Sequence, residues 1–195
     1  MRPSLVLLAG PNGAGKTTLY QARVAPSFAG PFVNADLIQR DELKDTSMEA
    51  SYRAAEIAAK RRTRLLEDRK SFATETVFSH PSKLGVIAEA QADGHMVIVM
   101  HVGVDTPDLS VARVRARTAE GGHDVPEQKI RDRYMRGQPL IRQAVLRADR
   151  GMVFDNSKLN APPRRMLLFA AGRLVQAEPM LPDWILSGYA EDLII

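Results

Sequence analysis

Residues 10–17 read Gly10-Pro11-Asn12-Gly13-Ala14-Gly15-Lys16-Thr17, which matches the pattern G-x-x-x-x-G-K-[ST] at every fixed position. An apolar run of strand length, 5–9, leads into this stretch, and a segment with helical character follows it. In that context, loop N–H groups and the N-terminus of the helix point at the same anion. The sequence therefore predicts a phosphate-binding loop between the first strand and the first helix.

Each part of this loop has a physical role in the prediction. The glycines let the backbone fold tightly, so that successive N–H groups can face phosphate oxygens. Lys16 can reach the β- and γ-phosphates, Thr17 offers a hydroxyl to Mg²⁺, and Thr18 can support the α-phosphate. The expected nucleotide-binding residues are Gly10, Asn12, Gly13, Ala14, Gly15, Lys16, Thr17 and Thr18, with Thr17 as the metal ligand.

Strand-like and helix-like segments alternate along the rest of the chain, which predicts βαβ units and a mostly parallel sheet. No linker rich in Pro, Gly or Ser divides the sequence. We expect an α/β fold of one domain, 1–195, built as a three-layer sandwich around the phosphate loop. The predicted strands are 5–9, 31–35, 72–78, 96–104 and 152–154, with a terminal hairpin at 166–169 and 173–175. The predicted helices are 16–23, 48–69, 82–93, 109–118 and 125–150, the last broken at Pro139. The tail after Pro179 is left unassigned.

The composition limits the classes of function. The net charge of +4 suits an anionic ligand such as a nucleotide, although charge alone does not exclude nucleic acid. The basic cluster Lys60–Arg64 is expected to be the solvated face of a helix. No cysteine is present, and the apolar run near the N-terminus is too short for a signal sequence or a membrane span. We expect a cytoplasmic protein that does not bind membranes.

Two further strands end in polar residues that would face the phosphate loop, because ligands bind at the carboxyl ends of parallel strands. Asp36 could accept the proton of an attacking hydroxyl or hold a water on Mg²⁺. It could equally be the N-cap of a helix over 37–43. Glu75 could complete the Mg²⁺ shell or bind sugar hydroxyls, and Thr76 could orient the substrate. The alternative for Glu75 is a solvated position on an edge strand.

An arginine-rich segment over 113–136 is the predicted lid. Arg113, Arg115 and Arg117 precede Glu120-Gly121-Gly122-His123, and the residues Arg131, Arg133 and Arg136 follow it. Guanidinium groups stabilise the charge that develops during phosphoryl transfer, so at least two of them are expected to act. The alternative is a solvated basic hairpin paired with Glu120, Asp124 and Glu127. No metal or base role is expected for His123.

The residues leave three classes of function open. The leading one is a kinase of a small molecule. The second is a kinase of another acceptor, either a metabolite or a nucleic-acid 5′ end. The third is a binding module that switches shape without turnover. The GTPase pattern N-K-x-D is absent, as is an apolar strand ending in adjacent Asp-Glu.

Taken together, these segments resemble the zeta toxin family of kinases, in particular the short forms described as predicted ABC-type ATPases. The matching pieces are LLAGPNGAGKTT at 7–18, FVNAD at 32–36, FATETVFS at 72–79, RVRARTAEGGHDVPEQKIRDRY at 113–134 and FDNS at 154–157.

The resemblance implies a P-loop NTPase fold of the nucleoside- and shikimate-kinase type, with ATP or GTP and Mg²⁺ as cofactors. It further implies transfer of phosphate to a UDP-activated amino sugar such as UDP-N-acetylglucosamine, in preference to nucleic acid, and an antitoxin as a candidate partner. Under it, Lys16 binds phosphates and Asp36 is the base. Glu75 and Thr76 lie near the substrate, and Arg117 and Arg133 stabilise charge. Residues 155–157 would lie near the nucleotide base or the end of the sheet.

Overall fold

The computed structural model describes residues 2–119 and 125–193. The strands are β1 (Ser4–Ala9), β2 (Phe32–Val33), β3 (Phe72–Thr76), β4 (Met96–Gly103), β5 (Arg150–Asp155), β6 (Arg164–Ala170) and β7 (Arg173–Ala177). The helices are α1 (Lys16–Leu19), α2 (Ala35–Leu37), α3 (Met48–Glu67), α4 (Gly85–Ala92), α5 (Pro107–Ala119), α6 (Glu127–Arg147) and α7 (Asp183–Gly188). Helices α1 and α2 continue as π-helical turns over Tyr20–Val24 and Ile38–Leu43, and 3₁₀ turns span Pro81–Leu84 and Ala190–Asp192.

The seven strands form one sheet in the order β2-β3-β1-β4-β5-β6-β7. The first five are parallel, and β6 and β7 are added antiparallel. Because β1 lies in the middle of the sheet, it is buried on both faces, which explains its nearly unbroken apolar sequence. The predicted fold, including its mostly parallel sheet and the terminal hairpin, is confirmed.

Helices cover both faces of the sheet. On one face Leu5, Leu7 and Ala9 pack in a core shared with α3, α4, α6 and α7. On the other face Val6 and Leu8 pack against α1 and its continuation. Alternate residues of β1 point to opposite faces, so a single strand contributes to two cores and fixes the three layers. This arrangement places the end of β1 at the centre of one edge of the sheet.

One expectation about a single element is wrong, and one segment left unassigned contains a helix. Helix α6 does not break at Pro139, which lies inside it. Buried residues on both sides of the proline hold the helix against the sheet, among them Tyr134 and Ile141. The tail left unassigned contains α7, which buries Trp184 and Ile185. None of the helices in the described parts of the chain is both long enough and apolar enough to cross a bilayer.

Candidate active site

The phosphate loop connects the carboxyl end of β1 to the N-terminus of α1. Gly13 and Gly15 have φ angles of 73° and 88°, in the left-handed region that side chains disfavour. A Cβ atom at Gly15 would lie 2.4 Å from Nδ2 of Asn156, so this position also has no room for a side chain. Glycine is therefore required at 13 and 15 by the backbone conformation of the loop.

Asn156 attaches the loop to the neighbouring part of the sheet. It directly follows β5, and its Nδ2 donates to the carbonyl oxygen of Ala14 at 2.8 Å. Its backbone N–H donates to the carbonyl oxygen of Gly103 at the end of β4, at 2.9 Å. The segment 155–157 thus lies at the end of the sheet and in contact with the phosphate loop.

Lys16 lies at the centre of the site, and the residue is only 8% exposed. Its Nζ donates to the carbonyl oxygens of Gly10 and Pro11, both at 3.0 Å. Burial lowers the pKa of the ammonium below its usual 10.5. The charges of Glu75 and Asp36 raise this pKa, and the charges of Arg117 and Arg133 lower it further. The charges of three residues predicted as catalytic, Asp36, Arg117 and Arg133, and of the predicted substrate-binding residue Glu75 thus influence one buried lysine.

Glu75 is held against the start of α1. The hydroxyl of Thr17 donates to Oε2 of Glu75 at 2.8 Å. The contact follows from the sheet, because β3 pairs with β1 and Glu75 lies opposite Leu8. Glu75 is half-buried, and β3 lies between β2 and β1. The alternative of a solvated carboxylate on an edge strand is therefore wrong.

Thr76 shapes the junction between β3 and the loop after it. Its Oγ1 accepts from the N–H of Phe78 at 3.1 Å, and Phe78 has a φ of 54°. Its carbonyl oxygen accepts from the N–H of Gly10 at 3.3 Å, at the entrance to the phosphate loop. These bonds give Thr76 a local structural role, and its predicted contact with substrate stays a prediction.

Asp36 is exposed at the same edge of the sheet. The N-cap of α2 is Asn34, whose buried Oδ1 accepts from the N–H groups of Asp36 and Leu37 at 2.7 and 3.3 Å. The alternative of Asp36 as the N-cap is wrong, because Asn34 already satisfies those donors and Asp36 lies in the first turn. The carboxylate of Asp36 is thus exposed, and its charge raises the pKa of Lys16.

One arginine of the predicted lid contacts the phosphate loop, and others form ion pairs with nearby acids. Nη1 of Arg133 donates to Oδ1 of Asn12 in the phosphate loop at 3.2 Å. Burial and the charge of Arg136 lower the pKa of Arg133, while Asp36 raises it. Arg131 instead pairs with Asp108 and Glu127, and Arg115 also pairs with Glu127. The alternative prediction, in which the arginines form ion pairs with nearby acids, therefore holds for Arg131 and Arg115. Arg133 instead contacts the phosphate loop.

Arg117 is exposed on α5, and its charge lowers the pKa of Lys16. The segment expected to hinge the lid, with Glu120, His123 and Asp124, lies outside the described residues.

Two positioning residues were not singled out from the sequence. The hydroxyl of Tyr134 donates to the carbonyl oxygens of Val104 and Asp105 at 2.7 and 3.0 Å, which fixes α6 next to Arg133. Asn34 orients the segment that carries Asp36. Asn is a preferred N-cap residue and could have been identified by that preference, whereas the contact of Tyr134 joins residues about thirty positions apart.

A cavity of about 500 Å³ lies beside the phosphate loop. Asn156 and Asp155 line it from the end of β5, and Arg23 lines it from the π-helical turn after α1. Met166, Met180 and Leu181 provide apolar walls. The cavity therefore joins an apolar surface to polar groups next to the predicted phosphate site.

A parallel sheet with the phosphate loop after its central strand, next to a buried lysine, acids and arginines, defines a nucleotide-dependent kinase of the P-loop class. Residues 1–160 match the zeta toxin family. The chain belongs to this family.

The chain is also similar to a relative of unknown function and, in fold, to several solved structures. An uncharacterized protein of Haemophilus influenzae is 26% identical over 139 residues, which are 69% of this chain and 94% of the relative. The PezAT chromosomal toxin–antitoxin system of Streptococcus pneumoniae is similar with a TM-score of 0.61 at 17% identity, over 80% of this chain and 69% of that one. The AvrRxo1-ORF1:AvrRxo1-ORF2 complex with ATP gives a TM-score of 0.66 at 14% identity, over 89% of this chain and 60% of that one. The present chain thus spans less than two thirds of the latter structure's length.

Proposed function

We propose that this protein transfers the γ-phosphoryl group of ATP or GTP, with Mg²⁺, to a hydroxyl group of a small molecule. A UDP-activated amino sugar resembling UDP-N-acetylglucosamine is the first candidate acceptor. The observation that carries the proposal is that Glu75 and Arg133 bind Thr17 and Asn12 of the phosphate loop, next to the buried Lys16. The charges of Asp36 and Arg117 also influence Lys16. A loop that only held a nucleotide would not need an exposed carboxylate at this place.

The nucleotide would lie with its phosphates on the loop and its base in the neighbouring cavity. The loop N–H groups and Lys16 supply positive charge for the β- and γ-phosphates. The cavity beside Asn156 has apolar walls suited to the faces of a flat ring and polar groups suited to its edge. The ATP-bound solved structure with the same fold supports ATP as the donor.

The residues present fit a magnesium ion. Thr17 and Glu75 bring a hydroxyl and a carboxylate oxygen to 2.8 Å from each other, and Mg²⁺ prefers oxygen ligands of these kinds. These two side chains would hold the ion together with phosphate oxygens. When bound, Mg²⁺ neutralises charge on the transferring phosphoryl group.

Asp36 would act as the general base. The acceptor oxygen attacks the γ-phosphorus, the bond from that phosphorus to the β–γ bridging oxygen breaks, and ADP or GDP leaves. The hydroxyl proton passes to the carboxylate of Asp36, which is exposed and close to Lys16. Arg133, held by Asn12, and Arg117 would stabilise the negative charge on the transferring group.

The test is transfer of label from γ-labelled ATP and GTP, with Mg²⁺, to a panel of UDP-sugars. Lys16→Ala should abolish nucleotide binding and transfer. Asp36→Asn should lower kcat by about 100-fold or more while nucleotide affinity stays within about twofold. Asp41→Asn, at an exposed acid that pairs with Arg40 on the same segment, is the matched control and should be active.

Label on a UDP-amino sugar that is lost in both variants would establish the proposed reaction. Nucleotide binding without a labelled sugar would remove that acceptor and favour another metabolite or a nucleic-acid 5′ end. An Asp36→Asn variant with unchanged turnover would exclude Asp36 as the base.

An antitoxin partner and a cytoplasmic location complete the proposal. The pneumococcal structure with the same fold is that of a toxin–antitoxin system, which supports a search for such a partner. Expression of the wild type in a bacterial host should slow growth if its reaction consumes an essential sugar nucleotide, and Lys16→Ala should not. Equal growth of both strains would argue against toxicity.

A further inference from the structure

The family match ends at residue 160, but the chain beyond it reaches the phosphate-loop edge of the sheet. Strands β6 and β7 extend the sheet after β5, and α7 packs in the same core as β1 and β4. Three side chains of α7 and the turn after it, Trp184, Ile185 and Tyr189, are at most 5% exposed. The tail is thus an integral part of the layer that supports the site.

Trp184 contacts the ends of both β4 and β5. Its Nε1 donates to Oδ1 of Asp155, the last residue of β5, at 2.9 Å. Its ring packs on Gly103, the last residue of β4, so closely that a Cβ atom there would lie 2.3 Å from the indole. The ring also meets His101 edge-on, with centroids 5.2 Å apart.

From Asp155, hydrogen bonds continue to the phosphate loop. Oδ1 of Asp155 also accepts a hydrogen bond from Oγ of Ser157 at 2.5 Å. The same Oγ accepts from the N–H of Asp105 at 2.9 Å. Between these residues, Asn156 donates to the carbonyl oxygen of Ala14 at 2.8 Å. The turn 155–157 is therefore fixed on one side by Trp184 and fixes the loop on the other.

We propose that Trp184 is a positioning residue for the phosphate loop, acting through Asp155 and Asn156. The inference rests on the proposed function, because it assumes that the loop binds a nucleotide. Loop N–H groups bind phosphate well only when they are already oriented. Without the indole N–H, one of the two donors to Oδ1 of Asp155 is lost and the turn that carries Asn156 is less constrained.

The test compares Trp184→Phe with Tyr189→Phe. Phenylalanine at 184 keeps an aromatic ring on Gly103 but removes the donor to Asp155. Phenylalanine at 189 removes the hydroxyl that lies 2.7 Å from Nδ1 of His101, in the same tail, and leaves the hydrogen bond from Trp184 to Asp155 in place. We expect Trp184→Phe to raise the Kd and KM for ATP by about fivefold, with kcat changed less than about twofold. Tyr189→Phe should leave all three at wild-type values, and denaturant unfolding should show both variants folded.

A double-mutant cycle tests whether Trp184 influences ATP binding through Asp155. If Trp184 acts through Asp155, the variant Trp184→Phe/Asp155→Ala should bind ATP no more weakly than Asp155→Ala alone. Trp184 is the single tryptophan of the sequence, so its emission also reports on this contact directly. ATP should change the emission of the wild type and leave that of Lys16→Ala unchanged.

Wild-type ATP affinity in Trp184→Phe, or additive effects in the cycle, would overturn the positioning role while leaving the proposed function intact. Failure of the wild type itself to bind ATP or GTP would overturn the proposed function, and this inference with it.

Discussion

Lys16 is a cation buried among charges of both signs. Burial has the largest effect on its pKa and favours the neutral amine, while Glu75 and Asp36 favour the ammonium form. Arg117 and Arg133 act in the same direction as burial. The charge that a phosphate would meet at Lys16 is therefore set by the neighbouring carboxylates as well as by the lysine.

We expect Glu75→Gln to lower the pKa of Lys16, because Glu75 is the larger of the two acidic influences. Phosphate binding needs the ammonium form, so affinity for ADP should fall at a lower pH in this variant than in the wild type. Calorimetric titration from about pH 7 to about pH 10, without added Mg²⁺, measures this. Glu127→Gln, at an acid that pairs with Arg115 and Arg131, is the control. The expectation would be contradicted if ADP affinity fell at the same alkaline pH in Glu75→Gln and in the wild type.

Two neighbouring arginines of α6 should behave differently on replacement. Arg133→Ala removes the guanidinium that contacts Asn12. We expect kcat to fall by about 100-fold or more, because the negative charge on the transferring phosphoryl group is no longer stabilised. Arg131→Ala breaks exposed ion pairs with Asp108 and Glu127, and kcat should stay within about twofold. Steady-state kinetics with saturating ATP compares them. Equal losses in the two variants would refute the assignment of Arg133.

At the scale of elements, α6 shows how packing overrides a local signal. Pro139 removes the hydrogen bond to the carbonyl of Met135, and for that reason the sequence predicts a break there. Yet buried residues recur along the helix before and after the proline, at Ile130, Tyr134, Ile141 and Val145. Contacts with other elements keep the helix continuous.

Because Pro139 is exposed, its replacement should cost little packing. Pro139→Ala restores a backbone donor, and we expect it to raise the free energy of unfolding by about 1–2 kcal/mol, after the larger entropy of the unfolded chain is subtracted. Denaturant unfolding measures the change. A matched exchange at Pro162, outside any helix, should not stabilise the protein. A loss of stability in Pro139→Ala would show that the proline is accommodated without strain.

Local sequence patterns predicted the elements whose own residues show a recognisable pattern. The apolar run of β1, the phosphate loop and the long α3 were found almost to their ends. Helix α7 was missed because it has six residues and is held by contacts of Trp184 and Ile185 with distant strands. The contact of Arg133 with Asn12 joins positions 121 apart, so the choice among the arginines needed the fold.

The molecule as a whole carries a titratable group in its core. His101 is fully buried against Tyr189 and Trp184, and burial lowers its pKa to about 3. In the unfolded chain its pKa is near the ordinary 6.5, so the unfolded state binds more protons between these values. The stabilisation from neutral His101 is therefore complete above pH 6.5 and is lost as the pH falls towards 3.

As the pH falls below 6.5, we expect His101 to reduce the free energy of unfolding by about 1 kcal/mol per pH unit. His101→Gln cannot titrate and should therefore show a shallower dependence of stability on acid pH, whatever its stability at neutral pH. Urea unfolding at several pH values from about 7.5 to about 5 measures both slopes. Identical slopes would show that His101 does not set the acid sensitivity.

The sheet continues without interruption past the end of the family match, and this has a practical consequence for making the protein. A fragment of residues 1–160 would keep the phosphate loop and every predicted catalytic side chain, but β5 would lose its partner β6. An uncovered edge strand is a template on which further copies can pair, so such a fragment should aggregate on expression. Light scattering should find the full chain monodisperse and the fragment in large particles.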